Sequence, residues 1–520
     1  MSSAPSNTMV NSGFLGFVAK VGNKLPNPFM LFLALAILTL ILSWVLSAMG
    51  TSVTYMAASS KGGALVETTV KVQNLLTAQY FQTLLRDFVK IYITFAPLGI
   101  VMVTMLGIGY VQDTGFFDAF MRKTLLKCPA ALVTFAIAVC GVCANISGNA
   151  GIIISTTLAA AIFASLGRNP ILGAVLGYAC GHGGFTANLM ITSDDALLSG
   201  ITQAAADSAN VIAPISPLMN WYFMIPATFV IAGVATIVTE FVMPRYVAAR
   251  GTADKDALED QKLSADQERG LRWSLYAFLI FLALLLIGMV PENGILRNAQ
   301  GNFLPVSPLT QGIVFFIVML FLFIGTGYGL GARTITSQHQ IPKLMSGGLR
   351  DSLSYFVVCF PAAYFIHFFG SSKLSTILSV NGAVFLEQMN FTGIPLAISF
   401  VLLVTFLNMF LTSGSAKWMI LAPIFVPMFA TVGFSPALTQ MCYRIGDTST
   451  NPIAPINYFI PIIIMIMERY KKEEDGEIGI GNVISMTLPF SIGYLICLVA
   501  LLCIFMAFSW PLGPGAPMWM

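Results

Sequence analysis

Charge is what this chain has least of. Only 9% of its 520 residues are Asp, Glu, Lys or Arg, against about 25% in an average soluble domain. That scarcity excludes an ordinary soluble fold. The net charge is +3, and no basic face is present that would hold a nucleic acid. Histidine is nearly missing, with three in the whole chain. There is no Walker loop, no serine-nucleophile motif and no zinc-ligand spacing. The chain therefore reads as a non-enzyme without a cofactor. Any transport by it runs on an ion gradient or on the substrate's own gradient. The eight cysteines lie mostly in apolar runs and read as small buried hydrophobes. Cys140 and Cys143 form a CxxC, but no second ligand pair stands near it, so no structural zinc is expected. A cleavable leader is missing too. The first apolar run begins near Phe29, after Lys20 and Lys24, and is too long for a signal-peptide core.

What is abundant is apolar: 57% of the residues, with 40 Phe, 26 Met and 45 Gly, a mixture suited to packed membrane helices. The expected fold is an all-α polytopic membrane protein. Residues 28–49 form a first span, long enough for roughly 30 Å of hydrocarbon. A polar loop follows at 51–70. Residues 73–90 read as an amphipathic interfacial helix, and 91–111 as the second span. Further spans fall at 221–243, 273–290, 312–330, 353–369 and 483–508. Basic residues cluster near Lys20, Lys123, Arg250, 333–350 and Lys471. The positive-inside rule puts these in the cytoplasm, with the N-terminus inside and the C-terminus outside. That placement requires an odd number of full crossings, with the interrupted segments 130–170 and 410–436 re-entering instead of crossing; nine crossings plus two hairpins satisfy the count.

The division expected from this reading is a cytoplasmic leader (1–27), first scaffold spans with the interfacial helix (28–128) and a first repeat with hairpin 1 (129–244). A charged cytoplasmic loop (245–272), central scaffold spans (273–350), a second repeat with hairpin 2 (351–471), and a last span with the C-terminal tail (472–520) complete it.

The two interrupted segments resemble each other. Ser147-Gly148-Asn149 is followed by Gly167-Arg168-Asn169-Pro170, and Ser413-Gly414-Ser415 by Gly433-Phe434-Ser435-Pro436, at equal spacing from Ser to Pro. A second break follows each Pro, at Thr186-Ala187-Asn188 and at Ser449-Thr450-Asn451. Backbone that leaves a helix at bilayer depth must be buried in protein or line a wet cavity. Matching breaks in two halves mark a transporter's site, and the span parity suggests inverted copies.

Asn145, Ser147, Asn149 and Asn188 offer hydroxyl, amide and carbonyl oxygens for a small cation, sodium being the one metal considered. Asn408, Thr412, Ser413, Ser415 and Asn451 form the mirror cluster. The same residues also suit plain capping of half-helices. Arg444 and Asp447 sit at i, i+3 and can pair. They form either a structural ion pair or a site in which Arg444 meets a substrate carboxylate and Asp447 holds it or takes a coupling proton. Asp194 and Asp195 end the matching segment, with one of them free to face water. Trp418 is either an aromatic wall or packing. Lys417 is expected to snorkel to water, and His182 and His367 to be satisfied core residues.

At these residues the chain resembles the AbgT family, the p-aminobenzoyl-glutamate transporters. The stretches that carry the resemblance run almost end to end. They include Gly22-Asn23-Lys24-Leu25-Pro26-Asn27-Pro28, Gly184-Phe185-Thr186-Ala187-Asn188-Leu189, Ser413-Gly414-Ser415-Ala416 with Trp418, and Tyr443-Arg444-Ile445-Gly446-Asp447. The resemblance implies a homodimer in a bacterial inner membrane, each protomer with nine spanning helices and two re-entrant hairpins split into scaffold and transport parts. It implies an anionic small-molecule substrate of p-aminobenzoyl-glutamate type, coupled to H+ or Na+; some relatives instead read as antimetabolite exporters. By motif it assigns substrate binding to Asp195, Asn408, Ser415, Trp418, Pro436, Arg444, Asp447 and Pro455. Asn149 stands where relatives often carry an acid, and Lys417 where they carry a neutral residue.

Overall fold

The computed structural model describes residues 27–58, 65–126, 129, 132–245, 261–304, 307–471 and 478–520. The leader up to Pro26, where the sequence reads as a short helix over residues 14–21, and much of the charged loop lie outside these residues. Among the described residues the chain is almost entirely helical. α1 (Pro28–Ala48) leads into a β-hairpin, β1 (Ser52–Ala58) and β2 (Leu65–Lys71). Then come α2 (Ala78–Ile93), α3 (Ala96–Asp113) and α4 (Phe116–Leu126). The first repeat comprises α5 (Val133–Cys143), α6 (Gly148–Ser165), α7 (Pro170–Gly183) and α8 (Ser193–Ser208), followed by α9 (Trp221–Ile237). α10 (Ala265–Met289), α11 (Ile313–Gly331), α12 (Gln340–Asp351), α13 (Leu353–Ser371) and α14 (Leu374–Gln388) lead to the second repeat. That repeat comprises α15 (Gly393–Asn408), α16 (Gly414–Thr431), α17 (Pro436–Thr450) and α18 (Ile460–Arg469), and α19 (Ile480–Ala507) is the last long helix.

Eight of these described helices are long and apolar enough to cross a bilayer, or nine when α14 and α15, bent by 120° at their junction, count as one. α16, in the segment expected to re-enter, is one of these eight by length and composition, and its first turn lines a central cavity. The expected polar loop at 51–70 is corrected to a β-hairpin. Its strands are rich in Val and Thr, which favour extended backbone, and Thr54 and Thr69 hydroxyls pair across them at 2.8 Å.

The repeat is visible in how the chain turns. α6 and α16 both end in a Schellman motif: Arg168 N–H reaches Phe163 O and Phe434 N–H reaches Phe429 O. Gly167 and Gly433 take φ of +70° and +92° there, the left-handed conformation such an ending needs. Three residues on, Pro170 and Pro436 open α7 and α17 behind side-chain caps from Asn169 and Ser435. Proline suits that first position because its missing N–H has no partner to lose.

Every residue of α7 and α17 is buried. They form the centre, and the outer helices leave apolar side chains exposed, as on α10 with only 11% of its apolar window buried. A helix with that surface belongs against lipid or another apolar partner.

Candidate functional site

Hairpin 1 breaks after Cys143 into a 3-10 turn over Ala144–Ser147, and hairpin 2 breaks between Asn408 and Gly414. The helices that follow break as well. α7 unwinds after Gly183 and resumes at Ser193, and α17 passes through a 3-10 turn at Asn451–Ile453 before α18. All four breaks converge on one cavity of about 390 Å³. Asn145 and Asp194 line it from the first repeat with His182 and Phe185. Thr412, Ser413, Ser415, Asp447 and Asn451 line it from the second, with Asn457, Tyr458 and Phe459.

The charges pair differently from the i, i+3 expectation. Arg444 Nη1 donates to Asp195 Oδ1 at 2.6 Å, and Nε and Nη2 donate to Phe185 O at 2.8 and 2.5 Å. Asp447 instead takes Lys417 Nζ at 2.5 Å, with side chains 1% and 2% exposed. The Arg444–Asp447 pair is therefore corrected to two pairs, each joining different elements. One turn of α17 points its two charges at different neighbours, and each meets the opposite charge fixed there. Lys417 does not snorkel either, since three oxygens meet its ammonium inside the protein. Asp195 is wholly buried, its second oxygen taken by Thr192 N and Oγ1 in a capping box. Asp194 is half-buried and accepts from Asn145 Nδ2 at 3.2 Å.

Several expected site residues stand behind the cavity wall. Trp418 stacks on Tyr443 with centroids 4.5 Å apart, and its Nε1 donates to Thr202 Oγ1 at 2.9 Å. Thr202 continues to Gln440 Oε1, and Gln440 to Asn220, a buried polar chain that satisfies all its members. Asn408 is buried and bridges Asp447 O, Thr450 and Asn451 through its amide nitrogen. Ser147 Oγ and Asn188 Nδ2 are buried without a partner. A hydroxyl oxygen left so is an available cation ligand, whereas an amide nitrogen asks for an acceptor. Pro436 opens α17, and Pro455 lies in the unwound stretch before α18. The side chain of Asn149 lies outside the described ones.

Sequence reasoning overlooked Asn457. Its Oδ1 accepts Phe459 N, and its Nδ2 faces Asn451 O at 2.9 Å and His182 Nε2 at 2.8 Å. His182 Nδ1 donates to Tyr178 O, so Nε2 is left to accept from Asn457. His182 is a satisfied core residue, and it also borders the cavity. Phe185, Tyr458 and Phe459 were overlooked as lining as well; their position beside the unwound Pro455 and Gly184 was the available signal. A second cavity of about 490 Å³ holds Lys90, His367 and Lys373, away from all four breaks.

The two repeats are tied directly. Thr186 Oγ1 donates to Arg444 O at 2.7 Å and lies against the Thr448 hydroxyl. Within the second repeat, Tyr443 O–H donates to Gly414 O and holds α17 to the start of α16. Residues 13–520 match the model of the AbgT putative transporter family. The p-aminobenzoyl-glutamate transport protein of Escherichia coli (strain K12) is 35% identical, over 99% of this chain and 98% of its own. The crystal structure of the Alcanivorax borkumensis YdaH transporter is similar at 31% identity and a TM-score of 0.85, covering 94% of this chain and 100% of that one. Neisseria gonorrhoeae MtrF, of a class of antimetabolite efflux pumps, is similar at 36% identity and a TM-score of 0.90, covering 97% and 100%. With a family match along nearly its whole length, this chain is a multi-span membrane transporter and belongs to the AbgT family.

Proposed function

We propose that the protein carries a small anionic acyl-amino acid of the p-aminobenzoyl-glutamate type across a bacterial inner membrane, driven by a proton or sodium gradient. The cavity shared by the two hairpin tips carries this reading. Its volume falls within the roughly 300–1,000 Å³ of small-molecule sites. The N-terminus of α16 opens into it at Gly414 and Ser415. Its free N–H groups and positive dipole end favour a carboxylate, and the Thr412 and Ser413 hydroxyls and the Asn457 amide stand beside it. Phe185, Tyr458 and Phe459 provide an apolar wall for an aromatic ring.

On this reading Ser415 touches substrate directly. Arg444, Asp195, Asn408 and Trp418 act from behind the wall by fixing the elements that form it. Pro436 and Pro455 set where helix stops, and Asp194 with Asn145 and Ser147 is the place for a coupling ion. The reading includes a homodimer with the N-terminus in the cytoplasm and the C-terminus outside.

A second reading, export of antimetabolites through the same cavity, is favoured by the likeness to the gonococcal efflux pump. Flux in proteoliposomes under separately imposed sodium and pH gradients tests both. Saturable uptake of labelled p-aminobenzoyl-glutamate that follows one gradient supports the first. Sulfonamide movement with no p-aminobenzoyl-glutamate uptake supports the second. Uptake indifferent to both gradients overturns the coupling, and unsaturable flux without counterflow makes the protein a channel.

A further inference from the structure

The second hairpin tip already contains a cation, carried on the chain itself. Lys417 sits in the first turn of α16 and is 1% exposed. Its ammonium meets Asn408 Oδ1 at 2.5 Å, Asp447 Oδ1 at 2.5 Å and the Leu411 carbonyl at 3.2 Å. Those oxygens come from the end of α15, from the unwound tip and from α17. An ammonium has three N–H donors, and three acceptors meet it.

The two side-chain oxygens are aimed by groups other than Lys417. The Asn408 amide nitrogen is held by Asp447 O, Thr450 Oγ1 and Asn451 Oδ1, which turns its Oδ1 towards the ammonium. Asp447 Oδ2 accepts from Asn451 Nδ2 at 3.0 Å, which leaves Oδ1 facing Lys417. Leu411 follows the C-terminal end of α15, where the helix dipole favours positive charge. A carboxylate, an amide oxygen and an unwound carbonyl beside a half-helix C-terminus are the donors with which broken transporter helices hold a small cation.

We propose that the Lys417 ammonium is the built-in occupant of a monovalent-cation site made by Asn408, Leu411 and Asp447, taking the place of a free sodium ion at the second hairpin tip. The site then keeps its charge through the transport cycle and contributes no free sodium to it. Any sodium linkage resides at the other tip, around Asn145, Ser147 and Asp194. The place of this site in a coupling cycle rests on the transporter reading above, whereas the cation site itself does not.

The test removes the tethered charge and offers a free one. In Lys417→Gln the Asp447 carboxylate is left buried with a vacancy beside it and one added amide oxygen. Thermal unfolding in detergent is compared in sodium chloride and in choline chloride at matched ionic strength. The expected result is a sodium-over-choline gain in Tm for Lys417→Gln that exceeds the wild-type gain by several degrees. The excess disappears in Lys417→Gln/Asp447→Asn, where no carboxylate remains to hold the ion. Should the single variant not survive purification, recovery of monodisperse protein after extraction into sodium or choline buffer reads the same difference. Equal sodium responses in wild type and Lys417→Gln, or equal recoveries from the two buffers, overturn the proposal. Neither readout needs a substrate. A sodium-specific gain without any flux leaves this inference standing and removes the transport reading, and flux without the gain does the reverse.

Discussion

Arg444 and Asp195 stand 249 positions apart in the chain and 2.6 Å apart in the fold, with side chains 1% and 0% exposed. The pair fastens the second broken helix to the start of α8 in the first repeat. Its partners are fully assigned, since the remaining guanidinium nitrogens hold Phe185 O and the remaining carboxylate oxygen holds Thr192. Arg444 therefore acts as the bolt between the repeats.

Breaking that pair from one side is expected to cost roughly 3–5 kcal/mol, because it strands a buried charge. Arg444→Ala and Asp195→Ala should each lower Tm in detergent sharply, and the double variant should lose far less than their sum. Arg444→Lys should also fail, because a single ammonium cannot replace the fork that spans Asp195 and Phe185 O. Additive losses in a double-mutant cycle would remove the pair from the account.

The aromatic contacts separate packing from binding. Trp418 is fully buried against Tyr443 and Thr202, while Phe459 borders the cavity. Trp418→Phe should cost about 1 kcal/mol of stability through the lost hydrogen bond, and Trp418→Ala about 3–5 kcal/mol. Neither should shift substrate affinity in the protein that stays folded. Phe459→Ala should weaken binding of p-aminobenzoyl-glutamate several-fold. Equilibrium binding to purified protein checks both, and an affinity loss confined to Trp418→Phe would put the ring on Trp418 instead.

These contrasts show what a single chain of letters discloses here. The spans follow from long apolar runs, and the hairpin breaks follow from Ser-Gly-Asn interruptions in them. The matched Gly-x-x-Pro punctuation became two Schellman endings followed by two proline-opened helices. Partner choice was not legible. Spacing put Arg444 beside Asp447, but on a helix buried on every side each charge is met by whichever element packs there. Arg444 reached Asp195 and Asp447 reached Lys417, contacts set by tertiary packing and invisible to periodicity. Asn457 escaped for a similar reason, because its three bonds exist only once α18, α7 and the 3-10 turn come together.

Asn457 pins the unwound stretch ahead of α18. Its amide joins Phe459 N, Asn451 O and His182 Nε2. Asn457→Leu leaves those buried groups without partners, at a cost of about 1–3 kcal/mol each where water does not reach them. The expected outcome is a folded but less stable protein with raised KM, since the wall made by Tyr458 and Phe459 loses its anchor. An unchanged KM with lowered Tm would limit Asn457 to a structural part.

Gly446 sets how closely α17 approaches α15. A Cβ there would stand 2.5 Å from Val401 O and 2.7 Å from Val404 Cβ, so Gly446→Ala must push α15 outward. Overpacking of this kind costs about 1–3 kcal/mol. Val404 lies one turn before Asn408 on the same helix face, so the push carries Asn408 away from Asp447 O, now 2.8 Å from its amide nitrogen. Gly446→Ala should thus lower both stability and transport. Trimming the side chain in Gly446→Ala/Val404→Ala removes only the Val404 methyl at 3.0 Å and should restore only part of the loss, because the Val401 carbonyl belongs to the backbone and alanine keeps the Cβ at position 404. Full recovery of Tm and flux in the double variant would mean that side-chain bulk, and not the close approach of the two helix backbones, is what glycine provides at this position.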